Sequence, residues 1–453
     1  MTDWPGWTRH FWFTLIGDTK LTAFPPRFRD RCRTVAVACL VVVAGLAAAC
    51  SSATSATSTS RGTNTTNAQH PAPSTTLPPA TWSLIPADTL GQKSPGSIAV
   101  WTGSEVLVDH NGCCAGAGDV QLDAYVPATG TWKATAATPL WPRNDPGMVW
   151  TGHEVIAFGG SGSATGSPPV HPLTDGAAYD PATNQWHAIA AMPEPFIATR
   201  GGGAVWTGSQ VLAWSFDPTG HETFLSYNPT SNTWKVLPPS GMPAPETTSG
   251  VASGGAGVVW AGSELLVWRS NTSGSAAPMS DGAAYDPATN RWMALPAPPT
   301  PLGVGAAAAW TGKDLVVWGG VSGTTPLATG AMYDPSTNRW TAMARSVLPP
   351  TTDAAAVWTG STVFVAGGLL NVPSASAVAN LSGAVATFDP ASNTWAAVAP
   401  APALAAHLPP SGTAVATARD NPDLVWTGSQ VIMVSGYDGA YQAPRPDGVA
   451  WTP

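Results

Sequence analysis

One short string recurs along most of the chain and constrains the fold more than any other feature. It reads Trp-Thr-Gly, with Ala in place of Thr once, and its tryptophans are Trp101, Trp150, Trp206, Trp260, Trp310, Trp358 and Trp426. Successive copies are 49, 56, 54, 50, 48 and 68 residues apart. A period of about 50 residues is typical of arrays in which each repeat is one supersecondary unit that stacks on its neighbours. The sequence therefore predicts one repeat array rather than several unrelated domains.

A second string follows each of the first six copies. It holds two aromatic residues seven positions apart, with a Pro and a polar cluster between them: Tyr125 and Trp132, Tyr179 and Trp186, Tyr227 and Trp234, Tyr285 and Trp292, Tyr333 and Trp340, Phe388 and Trp395. Short runs of β-branched and aromatic residues alternate with Gly, Asn, Asp and Pro, as in strands joined by turns. Each unit is expected to form four short antiparallel strands, which makes the fold all-β.

The two ends of the array complement each other. The seventh unit stops at Pro453 after a third-strand string around Trp451, so its fourth strand is missing. The segment Thr81 to Pro86 has the pattern of a fourth strand. We expect it to close the last unit and remove an unpaired sheet edge. The prediction is a seven-bladed β-propeller of four-stranded blades over residues 80–453, closed by the N-terminal strand.

These strings resemble the kelch repeat, which combines a hydrophobic run, a Gly-Gly pair and a spaced Tyr and Trp. The pairs Gly159-Gly160, Gly319-Gly320 and Gly367-Gly368 match, whereas the other four units lack them. The resemblance covers residues 80–453 and implies a fold of the galactose oxidase central-domain-like superfamily.

The N-terminal region reads as an export signal and a tether. Four arginines between residues 27 and 33 precede an apolar run from Thr34 to Ala49 that ends at Cys50. The run is too short to span a bilayer and fits a signal peptide over residues 1–50. Its end resembles a bacterial lipoprotein signal, which implies lipidation of Cys50 and an anchor outside the cytoplasm; simple secretion is the alternative. Residues 51–79 are rich in Ser, Thr and Pro and are predicted to be a disordered tether.

Composition excludes some classes of protein. Charged residues make up 10% of the chain, Gly and Pro number 47 and 45, and 22 residues are Trp. Such usage disfavours helical bundles and coiled coils. A formal net charge of −8 provides no basic surface for phosphate contacts, so nucleic acid is not an expected partner.

The candidate ligand-binding residues lie in loops that enter the first strands. Loops between strands 2 and 3 and between units carry the length variation and should share one face, where binding residues usually lie on rigid scaffolds. Charged residues in them are Arg143, Asp145, Arg200, Asp353, Arg419 and Asp420. Arg can clamp a carboxylate or phosphate, and Asp can accept hydrogen bonds from sugar hydroxyls. The structural alternative is that they are solvated loop charges. Asp175, Asp281 and Asp447 open third strands and are expected to be turn residues.

Cys113 and Cys114 are adjacent in a Gly-rich loop. Outside the cytoplasm they are expected to form a strained vicinal disulfide that stiffens the loop. A soft-metal site with His110 is the less favoured alternative, because the spacing is not that of structural zinc sites. No metal site and no cofactor are predicted.

The sequence favours a binding module for a glycan or an envelope protein on the loop-rich face. Related propellers include copper oxidases similar to galactose oxidase, but the Tyr–Cys pair and His ligands that such an enzyme requires are not recognisable. A carbohydrate-active enzyme of the mutarotase or epimerase kind, using Arg and Asp at the channel mouth, remains an alternative. A structural spacer is the second alternative. Catalytic residues are therefore not assigned.

Overall fold

The computed structural model divides the chain into Met1–Ser74 and Thr75–Pro453. It describes residues 81–90, 98–109, 121–162, 171–198, 203–217, 220–243, 247–248, 251–252, 254–271, 280–371, 380–401, 417–438, 443–445 and 447–453. The predictions for residues 1–79, for lipidation of Cys50, for a Cys113–Cys114 disulfide and for Arg200 lie outside these ranges. Within them, no helix has the length and apolar character needed to cross a bilayer.

The described residues are all-β and form antiparallel four-stranded sheets, which fits a β-propeller-like fold. Strand β1 is Thr81–Ile85. Sheet 1 contains β2 (Ala99–Trp101), β3 (Val106–Asp109), β4 (Leu122–Val126) and β5 (Thr131–Ala134). The next strands are β6 (Arg143–Asn144), β7 (Gly147–Trp150), β8 (Val155–Phe158), β9 (Ser161–Gly162), β10 (His171–Pro172), β11 (Gly176–Asp180) and β12 (Gln185–Ala188). Of these, β7, β8, β11 and β12 form sheet 2, and β6, β9 and β10 form a small separate sheet.

Sheets 3 and 4 follow the same order. Sheet 3 contains β13 (Gly203–Trp206), β14 (Val211–Phe216), β15 (Glu222–Asn228) and β16 (Thr233–Val236). A two-stranded ribbon, β17 (Thr247–Thr248) with β18 (Val251–Ala252), comes before sheet 4. Sheet 4 contains β19 (Gly254–Trp260), β20 (Leu265–Asn271), β21 (Ser280–Asp286) and β22 (Arg291–Ala294).

Sheets 5 to 7 complete the described strands. The next strands are β23 (Ala307–Trp310), β24 (Leu315–Trp318), β25 (Val321–Ser322), β26 (Thr325–Pro326), β27 (Gly330–Asp334) and β28 (Arg339–Ala342). Of these, β23, β24, β27 and β28 form sheet 5, and β25 and β26 form a separate ribbon. Sheet 6 contains β29 (Ala355–Trp358), β30 (Val363–Ala366), β31 (Val385–Asp389) and β32 (Thr394–Val398). The last strands are β33 (Asp423–Trp426), β34 (Val431–Val434), β35 (Tyr437–Asp438), β36 (Ala443–Pro444) and β37 (Gly448–Thr452), of which β35 and β36 form a ribbon.

The N-terminal strand belongs to the last sheet. Sheet 7 has the order β1-β37-β34-β33, and β1 pairs antiparallel with β37 so that Trp82 lies opposite Trp451. This pairing agrees with the complementarity seen in the sequence. It gives β37, the last strand of the chain, a hydrogen-bonded partner on each side.

The core lies between neighbouring sheets. The second strand of a sheet is buried along its whole length, as in Val155–Phe158 and Val363–Ala366. Alternate side chains of such a strand enter the apolar clusters on its two sides, because successive side chains of a strand point to opposite faces. One cluster joins sheets 2 and 3 through Phe158 and Tyr227. Another joins sheets 7 and 1 through Ile432 and Val106. The last and the first of the described four-stranded sheets therefore pack against each other.

The outer-strand tryptophans bind each sheet to the sheet before it. The Trp186 indole N–H donates to Ala136 O at 3.0 Å, and that of Trp234 donates to Ala190 O at 2.9 Å. The same bond occurs from Trp132, Trp292, Trp340 and Trp395 to Pro86, Pro238, Pro296 and Ala344. Trp82 makes it to Ala399 O at 2.8 Å, which links sheet 7 to sheet 6. An indole that keeps a polar partner while its ring packs against apolar groups is a common use of Trp.

The turn between the third and fourth strands positions these tryptophans. Asn184 adopts a φ of 55°, a left-handed conformation that Asn tolerates better than most residues. Its Oδ1 accepts hydrogen bonds from the Tyr179 hydroxyl at 2.9 Å and from the Ala136 backbone N–H at 2.8 Å. The second sequence string therefore encodes a turn and a sheet-to-sheet contact together.

The position of Trp82 leads to a stability prediction. Trp82→Ala should lower the free energy of unfolding by about 3 kcal/mol, because it removes a half-buried ring and an inter-sheet hydrogen bond. Trp234→Ala, at the equivalent position of sheet 3, should have a similar effect in urea unfolding followed by circular dichroism. Leu84→Ala, whose side chain on β1 is 52% exposed, is the matched control and should change little. A harmless Trp82→Ala beside a damaging Trp234→Ala would contradict integration of β1.

Candidate functional site

The turns between first and second strands are short and built alike. Thr102 Oγ1 accepts from the Glu105 backbone N–H at 3.1 Å and donates to Glu105 O at 3.1 Å. Thr151, Thr207, Thr311, Thr359 and Thr427 bond the corresponding residues of their own turns. Gly103 has a φ of 100°, which explains the Gly of the Trp-Thr-Gly string. These turns and those between third and fourth strands lie at one end of the strands, and the variable loops lie at the other.

In four of the sheets, the loop before the first strand has a residue in the left-handed backbone conformation at the same position. This residue lies five positions before the Trp of the Trp-Thr-Gly string. It is Asp145, Gly305, Asp353 or Asn421, with φ between 48° and 68°. Asp353 N donates to Gly305 O at 2.8 Å, and Asn421 N donates to Asp353 O at 3.0 Å. Asp145 and Asp353 therefore have a conformational reason for their places, since Gly, Asn and Asp adopt this backbone most readily. Asp145 is exposed and Asp353 is half-buried.

Arg143 does not face solvent. It acts as a buried pin, by which we mean an arginine whose guanidinium bonds several separate segments of the protein. Its side chain is fully buried. Nη1 donates to Gly159 O at 2.9 Å, Nε donates to Trp141 O at 3.0 Å, and Nη2 bonds Asp175 Oδ2 at 2.9 Å. This guanidinium thus ties the loop before β7 to the ends of β8 and β11.

Arg419 occupies the same position in sheet 7. Its side chain is also fully buried, and Nη1 donates to Ser435 O at 2.9 Å and to Asp447 O at 2.7 Å. Asp447 Oδ2 lies 3.2 Å from Arg419 Nη2 and 2.8 Å from Arg445 Nη2. Ser435 and Gly436, with φ of 58° and 81°, stand where other units have Gly-Gly, so this unit retains the local geometry without the pair.

The three aspartates that open third strands are acceptors for arginine. In sheet 4, Arg269 lies directly opposite Asp281 on the adjacent strand and bonds both carboxylate oxygens, at 3.2 and 2.7 Å. The sequence interpretation of Asp175, Asp281 and Asp447 as turn residues did not include these arginine partners. A buried guanidinium needs a nearby anion, and the carboxylate supplies it.

The structure separates the predicted ligand-binding residues into two kinds. Arg143 and Arg419 point inward and bond protein acceptors, whereas Asp145, Asp353 and Asp420 are exposed or half-buried in the loops. Asp353 and Asp420 come near each other because Asp353 bonds the residue after Asp420. Arg143 and Asp145 lie beside sheet 2. Ligand binding by these residues stays a prediction.

Two clefts lie on the face of the short turns. One, of about 550 Å³, is lined by Lys313, Asp314, Asp334 and Arg339 among others. The second, of about 510 Å³, lies between sheets 1 and 2 and includes Glu105, Lys133 and Glu154. Lys133 Nζ is 2.6 Å from Glu105 Oε2.

In the first cleft, the nearby Asp314 and Asp334 carboxylates raise the pKa of Lys313. The Lys313 side chain is 71% exposed, and such exposed ion pairs contribute little stability. Sequence reasoning missed these clefts because their residues belong to the repeats.

Comparison with solved structures places the fold among known proteins. A similar structure is that of a novel fungal alcohol oxidase with catalytic diversity among the AA5 family, in complex with copper. The TM-score is 0.58 at 15% identity, over 83% of this chain and 76% of that chain. At this identity the likeness shows the fold alone, and it agrees with the β-propeller-like fold expected from the repeats. No family model matches the chain, and no curated protein is significantly similar in sequence.

The copper belongs to that protein. Within the described ranges of the present chain, no group of three or more His, Cys, Asp or Glu side chains is placed to hold a metal ion.

Asp447 leads to a prediction about pH. Burial alone would raise the pKa of its carboxyl group, but the Arg419 and Arg445 guanidinium groups outweigh burial and lower that pKa below its ordinary 3.8. A carboxyl group with a lowered folded-state pKa stabilises the protein above its unfolded pKa, and that stability is lost as the pH falls through the folded value. Asp447→Asn should cost roughly 3 kcal/mol at pH 7, because it leaves a buried arginine without its anion.

The measurement is urea unfolding between pH 7 and pH 2. The Asp447→Asn variant should lose less stability than the parent below about pH 4, since part of the pH-dependent term is gone. Asp180→Asn is the control for the cost at pH 7: the Thr183 hydroxyl lowers the pKa of this exposed turn carboxyl, but no buried arginine depends on it, so the variant should keep the stability of the parent at pH 7. Parallel pH profiles for the parent and Asp447→Asn would refute the assignment.

Proposed function

We propose that this chain is an exported kelch-type propeller with seven blades, held at the cell membrane by a lipid on Cys50, whose loop-rich face binds a glycan. Support for the closed ring comes from the described strands. The first strands β2, β7, β13, β19, β23, β29 and β33 each contact the next, and β33 contacts β2. Apolar clusters between sheets 6 and 7 and between sheets 7 and 1 support the same closure.

The observation that carries the binding proposal is the division of charge on the loop-rich face. Arg143 and Arg419 are buried there in bonds to protein acceptors, whereas Asp145 and Asp353 present carboxylates from left-handed positions beside the first strands. A carboxylate has about four acceptor sites, so it can bond protein and ligand at once. With a formal net charge of −8, such a face suits a neutral, hydroxyl-rich ligand better than an anionic one.

A glycan array probed with the full chain tests this proposal. The parent should bind one or more neutral oligosaccharides, and Asp353→Asn should weaken binding about tenfold, the equivalent of one charge-assisted hydrogen bond. Asn keeps the left-handed backbone, so the variant should fold normally. Asp389→Asn on the short-turn face is the matched control and should bind as the parent does.

Other results would replace the proposal. An array with no neutral glycan bound, together with capture of a purified envelope protein, would favour the protein partner. Interconversion of the bound sugar's anomers or epimers, followed by NMR, would favour an enzyme of the mutarotase or epimerase kind. Absence of all three would leave a structural spacer.

The membrane anchor has its own test. Cys50→Ala removes the thiol that would carry the lipid. The variant should move from the membrane fraction to the soluble fraction in detergent phase partitioning, because lipid chains contribute about 0.8 kcal/mol per buried CH₂. Cys39→Ala, within the apolar run, is the control and should stay with the membrane. A parent protein found only in the medium would favour secretion.

A further inference from the structure

Trp141 is unlike the other tryptophans that the structure describes. The others are buried or half-buried in the repeats, whereas Trp141 is 52% exposed. It lies outside both repeated strings, nine positions before Trp150, in the loop that enters sheet 2. Packing within its own blade therefore does not explain this residue.

The backbone that presents Trp141 is held on both sides. Leu140 is 6% exposed and packs with Ala157 and Ala177. Arg143, three residues further on, is fully buried and donates from Nε to Trp141 O at 3.0 Å. An aromatic ring displayed from an anchored segment loses little freedom when a ligand stacks on it.

The same guanidinium also holds a carboxylate at the surface. Arg143 Nη2 bonds Asp175 Oδ2 at 2.9 Å, and the Asp175 side chain is 50% exposed. Since Nε and Nη2 belong to one planar group, the Trp141 backbone and the Asp175 carboxylate are fixed within the span of one guanidinium. The Trp141 backbone carbonyl and the Asp175 carboxylate are therefore held on one guanidinium, and both residues expose their side chains.

Sheet 7 contains the same Arg–Asp pair, but there the aspartate and the residue equivalent to Trp141 are buried. The equivalent of Trp141 there is Thr417, which is fully buried, and the equivalent pair is Arg419 with Asp447. The Asp447 side chain is only 11% exposed, and Arg445 lies on it at 2.8 Å. The pin thus fulfils its structural role without an exposed carboxylate or an exposed ring. Both are additions in sheet 2.

From this difference we infer that Trp141 and Asp175 form a subsite for one pyranose ring of a neutral glycan. The indole face stacks on the C–H face of the sugar, and the Asp175 carboxylate accepts hydrogen bonds from its hydroxyl groups. The inference rests on the proposed glycan-binding function and assigns a place on the loop-rich face to it. A neutral sugar fits because Arg143 is committed to protein acceptors and offers no charge to an anion.

The test uses calorimetric titration of the full chain with the oligosaccharide that binds best on the array. Trp141→Ala should weaken binding about tenfold or more, and Trp141→Phe should retain part of the affinity because it keeps an aromatic face. Val236→Ala, at a 59% exposed position on an outer strand, is the control for loss of an exposed apolar side chain. All three variants should keep the thermal midpoint of the parent within a few degrees.

The outcomes separate the two proposals. If the parent binds an oligosaccharide and Trp141→Ala binds it equally well, the subsite is refuted and the proposed function stands. If the parent binds no oligosaccharide, the proposed function fails and the subsite fails with it. Affinity that falls steeply between 50 and 500 mM NaCl would show an ionic ligand and overturn the assignment to a neutral sugar.

Discussion

The hydrogen bond from each outer-strand indole to the preceding sheet is the interaction on which the arrangement of sheets depends. A four-stranded sheet of this size has two apolar faces and cannot bury both alone. Each described sheet packs between two neighbours, and the indole bond fixes how far one outer strand lies from the next. Every described four-stranded sheet donates one such bond to the sheet before it and accepts one from the sheet after it, including the bond from sheet 1 to sheet 7.

The position of the N-terminal strand joins distant parts of the chain. Had β1 followed β37 in sequence, sheets 7 and 1 would be joined only by packing between them. Instead, five residue pairs join the two ends of the folded unit within one sheet. Trp82 also reaches sheet 6, and Pro86 accepts the indole bond of sheet 1. The short segment of residues 81–86 therefore contacts three successive sheets.

The two ends of the strands serve different purposes. At one end, Thr and Gly repeat the same turn with little change, since its hydrogen bonds are local. At the other end, loops differ from sheet to sheet, and the Arg–Asp pin appears in an exposed form in sheet 2 and a covered form in sheet 7. The Arg–Asp pair of sheet 2 differs from that of sheet 7 in its exposed carboxylate, and this difference is the basis for the ligand subsite proposed there.

The sequence by itself determined the repeat, the all-β class, the four-strand unit and the partner of the N-terminal strand. These follow from patterns local to each unit, because Gly and Asn mark left-handed turns and spaced aromatic residues mark paired strands. Only the tertiary structure decided that Arg143 and Arg419 are buried. It also decided that Asp175, Asp281 and Asp447 pair with arginines, and that the Trp141 side chain is exposed. A charge in a loop reads the same in sequence whether it faces water or the interior, since burial depends on residues from distant segments that only folding brings together.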